Sequence, residues 1–394
     1  MNNLSLDLLH NSHSIRHTPR LLFIVGLLIL GSAEAFQPSS PISAPASAPV
    51  PASLEMPSEQ RQQSVALDLA SLRRAAEEVL AELAENTEGE LYSGAVEGTN
   101  PDDLALAVAL MDGRSFTVGR AETPFPLMSI SKPFTYALTL EQRGVDFMID
   151  KIGVSATGLP YNNVAAGAIR ETSEQNPFVN AGAIATHSFV QGAGPEEKIS
   201  AVIALYSAMA NAPLKIEEAW RAQPRALTYT LAYQMQAAGR LDGDVEDVAE
   251  RYLEACIVGV KVEELARMGA TVVVVIVVVI EQEELARMGA TLANAGIQPN
   301  SGQRILSPAN VRTLLSAMTI AGLYEDSGRW WTRVGLPAKS GVSGAILAVA
   351  PGWGAIVAYS PRLDSAGNSI RGALAIQQLA DRWRLHSIGR LLGE

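Results

Sequence analysis

Strand-like runs sit at the two ends of the globular part of this chain, with helix-like runs between them. Leu104 to Leu110, a turn at Asp112-Gly113 and then Ser115 to Val118 read as a β-hairpin whose turn tolerates positive φ. Ile346 to Ala350 and Ala355 to Ser360, joined through Pro351-Gly352-Trp353-Gly354, read as a second hairpin. Strands at both ends with helices between suggest that the two share one sheet. The expected fold class is therefore α+β: an antiparallel sheet assembled from N- and C-terminal parts, flanked by helices. A mainly helical middle subdomain, about 133–322, sits beside it. A 3.6-residue apolar period from Ser64 to Leu83 predicts an amphipathic helix, Ser307-Pro308 marks a helix start, and a last helix is expected from about Ile370 to Leu385.

The chain has 394 residues, enough for one large domain or two modest ones. Its net charge is −11 with a pI near 5.1, and no block of Lys/Arg occupies a predicted face, so nucleic acid is not expected as a partner. The single cysteine, Cys256, rules out an internal disulfide and a cysteine-rich metal site, and it reads as a buried small hydrophobe. The first 35 residues resemble an export signal: Arg16, His17 and Arg20 lead an apolar stretch, Leu21 to Leu30, before a small-x-small site at Ala33-Glu34-Ala35. That apolar stretch is too short to span a bilayer comfortably, and an uncleaved anchor stays open as an alternative. The expectation is a cleaved, exported protein, periplasmic or extracellular, with no membrane contact once the signal is gone. A plastid-type organelle is the alternative, since the Ala35-Phe36 junction also suits a two-part presequence. Residues 36–60 are Pro/Ser/Ala-rich and read as an extended linker, leaving 61–394 as the folded domain.

One segment departs from the rest. Glu263 to Thr271 recurs identically as Glu283 to Thr291, and Val272 to Ile280 between them is an unbroken run of valine and isoleucine. Two copies do not make a solenoid, and the run is short for a membrane span. Its high β-propensity and lack of charge mark an aggregation-prone strand. The segment within 262–291 reads as a local duplication or a sequence error.

Chemistry is suggested by Ser129-Ile130-Ser131-Lys132 and by Lys339-Ser340-Gly341, which begins a strand-like run. The S-x-x-K spacing places Ser129 and Lys132 one helical turn apart on one face. A serine hydroxyl needs a base, and a lysine serves once burial lowers its pKa. Histidine is the commoner base, but His10, His13 and His17 lie in the export segment, and His187 and His386 sit in no motif-like setting.

Six stretches carry a more specific likeness: Pro124 to Phe134, Asn176 to Ile184, Gly239 to Asp244, Met288 to Pro299, Lys339 to Ile346 and Ser360 to Gly372. In this order they resemble the serine-dependent glutaminases, which share the β-lactamase/transpeptidase fold, over roughly residues 65–380. The resemblance implies hydrolysis of L-glutamine to L-glutamate and ammonia, without metal or organic cofactor, by a protein that is commonly a homo-oligomer. It implies Ser129 as nucleophile and Lys132 as its base. Tyr92 and Tyr252 match tyrosines near that dyad, for substrate contact and proton relay. Asn180 matches an amide that grips the amino-acid end of the substrate, and Tyr324 another substrate-side tyrosine. Ser340 and Val342 are expected on an edge strand, the Val342 N–H pairing with that of Ser129 as an oxyanion hole.

The chain departs from the family pattern between Ala219 and Thr228. The glutamate that pairs with the substrate's α-ammonium aligns with Gln223, and an asparagine that holds the substrate aligns with Thr228 after a short deletion. Met128 replaces the glutamine that usually precedes the nucleophile. A neutral amide in place of a carboxylate forfeits a charge-assisted hydrogen bond of roughly 1.5–3 kcal/mol, about tenfold to a hundredfold in affinity. Either substrate preference has then drifted, or activity is weak or lost. Two alternatives stay open. One is a penicillin-recognising serine hydrolase of the same fold, although Tyr161-Asn162-Asn163 stands too near Ser129 in sequence for its Y-x-N motif. The other is a non-catalytic binding homologue, which the altered Gln223/Thr228 region and the valine insertion favour. Without the resemblance, Tyr92, Tyr252 and Tyr324 read as core or rim tyrosines.

Overall fold

The computed structural model describes residues 68–164, 175–210, 212–221, 225–261 and 290–393. The expected export signal (1–35), the span expected to be a linker (36–60) and its continuation to residue 67, Gln223 and the repeat-and-valine tract as far as residue 289 lie outside the described residues. In chain order the regular elements open with α1 (Leu69–Leu83), β1 (Ala105–Leu110), β2 (Ser115–Gly119) and β3 (Pro124–Pro126). Then come α2 (Ser131–Arg143), α3 (Val145–Ile152), α4 (Asn180–Ser188), α5 (Pro195–Ala210) and β4 (Lys215–Ile216). After these follow α6 (Ala226–Ala237), α7 (Val245–Cys256), β5 (Val258–Lys261), α8 (Pro308–Ala321) and α9 (Ser327–Val334). The chain closes with β6 (Ala338–Ser340), β7 (Ala345–Ala350), β8 (Gly354–Tyr359), α10 (Ile370–Arg382) and α11 (Ser387–Leu392).

The two hairpins share one sheet, as expected. Its order is β2-β1-β8-β7-β6, and every neighbouring pair is antiparallel. The central ladder sets Ala107 opposite Val357 and Val108 opposite Ile356. Alternation then divides the side chains between two cores. Ala105, Ala107, Leu347 and Val357 face the helical middle, whereas Leu106, Val108, Ile346 and Ile356 pack with α1, α9 and α10. A sheet covered on both faces needs strands apolar at every position, which is why β1 reads Ala-Leu-Ala-Val-Ala-Leu. Asp68, Ser307 and Ser369 cap α1, α8 and α10 with their side chains, and Pro308 occupies the first turn of α8.

A second sheet, β3-β5-β4, was not anticipated. Its strands are two to four residues long, below the length at which periodicity is visible. It matters because it brings distant segments to one place: Phe125 pairs with Val260, and the Leu127 N–H donates to the Val258 carbonyl (3.0 Å). The chain reaching Ser129 is thereby tied to the strand that follows α7. Buried Arg251 fixes α7 against α4, since its guanidinium holds Asp247 (2.8 and 2.9 Å) and donates to the His187 carbonyl (2.6 Å). No helix among the described residues is long and apolar enough to cross a membrane.

Two expectations are corrected. Val342 is not on an edge strand. β6 ends at Ser340, and a tight turn follows in which Gly341 donates to Ala345 and Gly344 to Gly341, with Gly344 at φ +102°. The last helix stops at Arg382, and Arg384 at φ +53° redirects the chain into α11.

Candidate active site

Ser129 sits in a single 3-10 turn, Met128–Ile130, just ahead of α2. Met128 before it has φ +47°, a left-handed conformation that costs a non-glycine residue about 1–3 kcal/mol and recurs where a side chain must be presented at a site. Ser129 is buried, yet it lines a cavity of about 120 Å³ with Tyr92, Tyr161, Asn180, Thr228, Tyr252 and Val342. Arg221, Arg225 and Glu254 belong to the same wall system.

Lys132 lies in the first turn of α2 and is 2% exposed. Its Nζ donates to the Phe178 carbonyl (3.0 Å) and to Asn180 Oδ1 (2.7 Å). Among the described residues it has no carboxylate partner, and burial drives its pKa from 10.5 down to about 7. The acceptors are supplied by the Asn176–Ile184 motif. Asn176 Oδ1 accepts from the Phe178 and Val179 N–H groups (3.0 and 3.1 Å), closing a turn that aims the Phe178 carbonyl at Lys132 and starts α4 at Asn180. Gly182 completes it, because a Cβ there would stand 2.1 Å from the Asn176 carbonyl oxygen.

Asn180 Oδ1 also accepts from the Tyr252 hydroxyl (3.1 Å), so one oxygen joins Lys132 to Tyr252. No hydrogen bond joins Ser129 to Lys132 in this structure. The phenol against Ser129 is instead Tyr324, whose hydroxyl interacts with Ser129 and donates to the Ser340 carbonyl (3.2 Å). Burial holds the Tyr324 phenol protonated, well above its usual pKa. Fully buried Lys339 lies over the Tyr324 ring (4.1 Å to the centroid) and donates to the same Ser340 carbonyl (2.6 Å). Burial, with Lys132 nearby, pushes the Lys339 pKa well below 10.5. Ser340 Oγ is buried with no hydrogen-bond partner among the described residues. The backbone N–H groups of Ser129 and Val342 likewise donate to no acceptor among the described residues.

The structure thus gathers Ser129, Lys132, Tyr92, Asn180, Thr228, Tyr252, Tyr324, Ser340 and Val342 in or directly behind one cavity. Several participants were not legible from spacing. Tyr161, set aside as a misplaced Y-x-N motif, stacks on Tyr324 (4.5 Å), lies 6.0 Å from Lys132 Nζ, and accepts the Asn180 N–H on its carbonyl. Cys256 is buried as expected but lines the cavity, with Ser131 Oγ 4.0 Å away, and burial raises its pKa. His187 stands edge-on to Tyr252, and burial lowers its pKa to about 3. Among the described residues no group of three or more His, Cys, Asp and Glu is placed to hold a metal.

Comparison with known proteins bears on this arrangement. The family model described as Glutaminase matches residues 91–284 and, in a second stretch, 273–388, the two overlapping within the repeat-and-valine segment. A glutaminase from Colwellia psychrerythraea is 41% identical over 282 residues, 71% of this chain and 84% of the relative. A solved probable glutaminase is 31% identical with a TM-score of 0.73, covering 81% of this chain and 99% of that one. The solved structure of Mglu in its glutamate form, also 31% identical, has a TM-score of 0.70 and covers 79% of this chain and 68% of that one.

Proposed function

The chain belongs to the glutaminase family, whose members are amidohydrolases, and on that premise we propose that it hydrolyses L-glutamine through Ser129 and Lys132. The observation that carries the reading is the state of Lys132. An ammonium offers three donors and a neutral amine two. Lys132 Nζ has two acceptors, Phe178 O and Asn180 Oδ1, and a pKa lowered to about 7. The neutral amine satisfies both and keeps its lone pair for Ser129. Catalytic hydrogen bonds are often loose in an empty site and tighten when substrate is bound.

In this reading Ser129 Oγ attacks the γ-carboxamide carbon while Lys132 Nζ takes its proton. The N–H groups of Ser129 and Val342 receive the tetrahedral oxyanion, a stabilisation of about 2.7–4 kcal/mol per donor. The Lys132 ammonium then protonates the leaving nitrogen, the C–N bond breaks, and ammonia departs from a glutamyl ester on Ser129. A water deprotonated by Lys132 hydrolyses that ester, releasing glutamate and restoring the hydroxyl. Tyr324 orients the Ser129 hydroxyl, and Tyr252 steadies Asn180. Asn180 Nδ2, Tyr92 and Thr228 contact the substrate's amino-acid end. An exported mature chain and a homo-oligomer belong to the same proposal.

The test is ammonia and glutamate release from purified protein beside Ser129→Ala. Release by the parent alone supports the reading, and equal background in both eliminates it. Labelling of Ser129 by a fluorescent penicillin would instead favour a penicillin-recognising hydrolase.

A further inference from the structure

A free amino acid enters a cavity as a zwitterion, and each of its charges needs a counterpart once water is displaced. Among the described residues lining the cavity, the acidic and basic side chains are Arg221, Arg225 and Glu254. Glu254 is therefore the one carboxylate there to meet an ammonium. It lies on α7, two residues beyond Tyr252, and its side chain is 19% exposed. Arg221 holds it in place, with Nη2 2.9 Å from Oε1, while Oε2 has no hydrogen-bond partner among the described residues. Arg221 is itself fixed by Glu218, and Arg225 by Glu250 (2.6 Å), so the wall is an ordered ion-pair network.

We propose that Glu254, oriented by Arg221, receives the substrate's α-ammonium on its unpaired oxygen and so determines preference for a free amino acid. This rests on the glutamine reading, and it moves to α7 a role that the family resemblance assigned to position 223. The Arg221 bond occupies Oε1 and holds Glu254 at the cavity wall. A charged acceptor with one lone-pair face unused is what an incoming ammonium requires.

The test compares L-glutamine with 4-carbamoylbutanoate, the same chain without its α-amine. Binding is followed calorimetrically in full-length Ser129→Ala protein, where no turnover is needed. Adding Glu254→Gln should weaken glutamine binding tenfold to a hundredfold and leave 4-carbamoylbutanoate within twofold. In the chain with Ser129 intact, the same substitution should raise KM for glutamine by a similar factor with kcat within threefold. Equal change for both ligands, or none for either, overturns the proposal. If Glu254→Gln does not fold, Glu254→Asp decides: a loss confined to glutamine supports the assignment, and parallel losses overturn it. Absence of ammonia release by the parent protein would sink the hydrolase reading while the calorimetric comparison still judges Glu254.

Discussion

Replacing Lys132 by methionine keeps an unbranched chain in α2 and removes the amine. The buried amine has a pKa of about 7 where an exposed lysine has 10.5. Between those values the native state binds fewer protons than the unfolded state, so stability rises with pH across that window and is flat below it. At pH 7 the native amine is half protonated, and the penalty relative to the unfolded chain is about 4 kcal/mol, at 1.36 kcal/mol per pKa unit. At pH 9 it is about 2 kcal/mol by the same relation. Urea unfolding at the two pH values should therefore show the parent gaining about 2 kcal/mol relative to Lys132→Met. The Lys339 contribution is common to both proteins and cancels to first order. The same substitution should lower kcat about a hundredfold to ten-thousandfold, the span of general acid–base catalysis. The parent's kcat/KM should rise with pH to a plateau through an apparent pKa near 7. Parallel stability curves for the two proteins would mean an ordinary lysine pKa at this position, and the case for a neutral base at neutral pH would fail.

Gly182→Ala puts a Cβ against the Asn176 carbonyl; it should cost about 1–3 kcal/mol of stability by overpacking, read by denaturation, and lower activity by shifting Asn180. Tyr324→Phe removes the hydroxyl that contacts Ser129 and Ser340; kcat should fall about tenfold, the worth of one hydrogen bond of about 1.4 kcal/mol, with KM less affected. Expression of the whole chain in an exporting host should give a mature protein beginning at Phe36, checked by N-terminal sequencing; retention of Met1 would overturn the export expectation.

Much of the scaffold was legible because it follows from local rules. The turns at Asp112-Gly113 and Pro351-Gly352-Trp353-Gly354 announce the two hairpins of the sheet, and Ser307-Pro308 announces α8. Ser129 and Lys132 were legible from spacing, and Asn180 from its motif. The rest required tertiary structure. The β3-β5-β4 sheet uses segments too short to show a period, yet its Leu127–Val258 bond brings Ser129 toward α7. Tyr161 was discounted on sequence distance, which says nothing about where a loop folds back. Glu254 looks like one more helix-surface glutamate until it is seen at the cavity wall, bonded to Arg221. The Ser129–Tyr324 contact joins residues far apart in sequence, with Lys339 stacked behind them. Spacing alone pairs Ser129 only with Lys132.

The most direct measurement is acid-quenched mass analysis of the peptide carrying Ser129 after rapid mixing of the protein with L-glutamine. The account predicts a glutamyl ester on that peptide, formed before free glutamate and missing from Ser129→Ala. Glutamate released with no ester at any mixing time, or equally by the alanine variant, would contradict it.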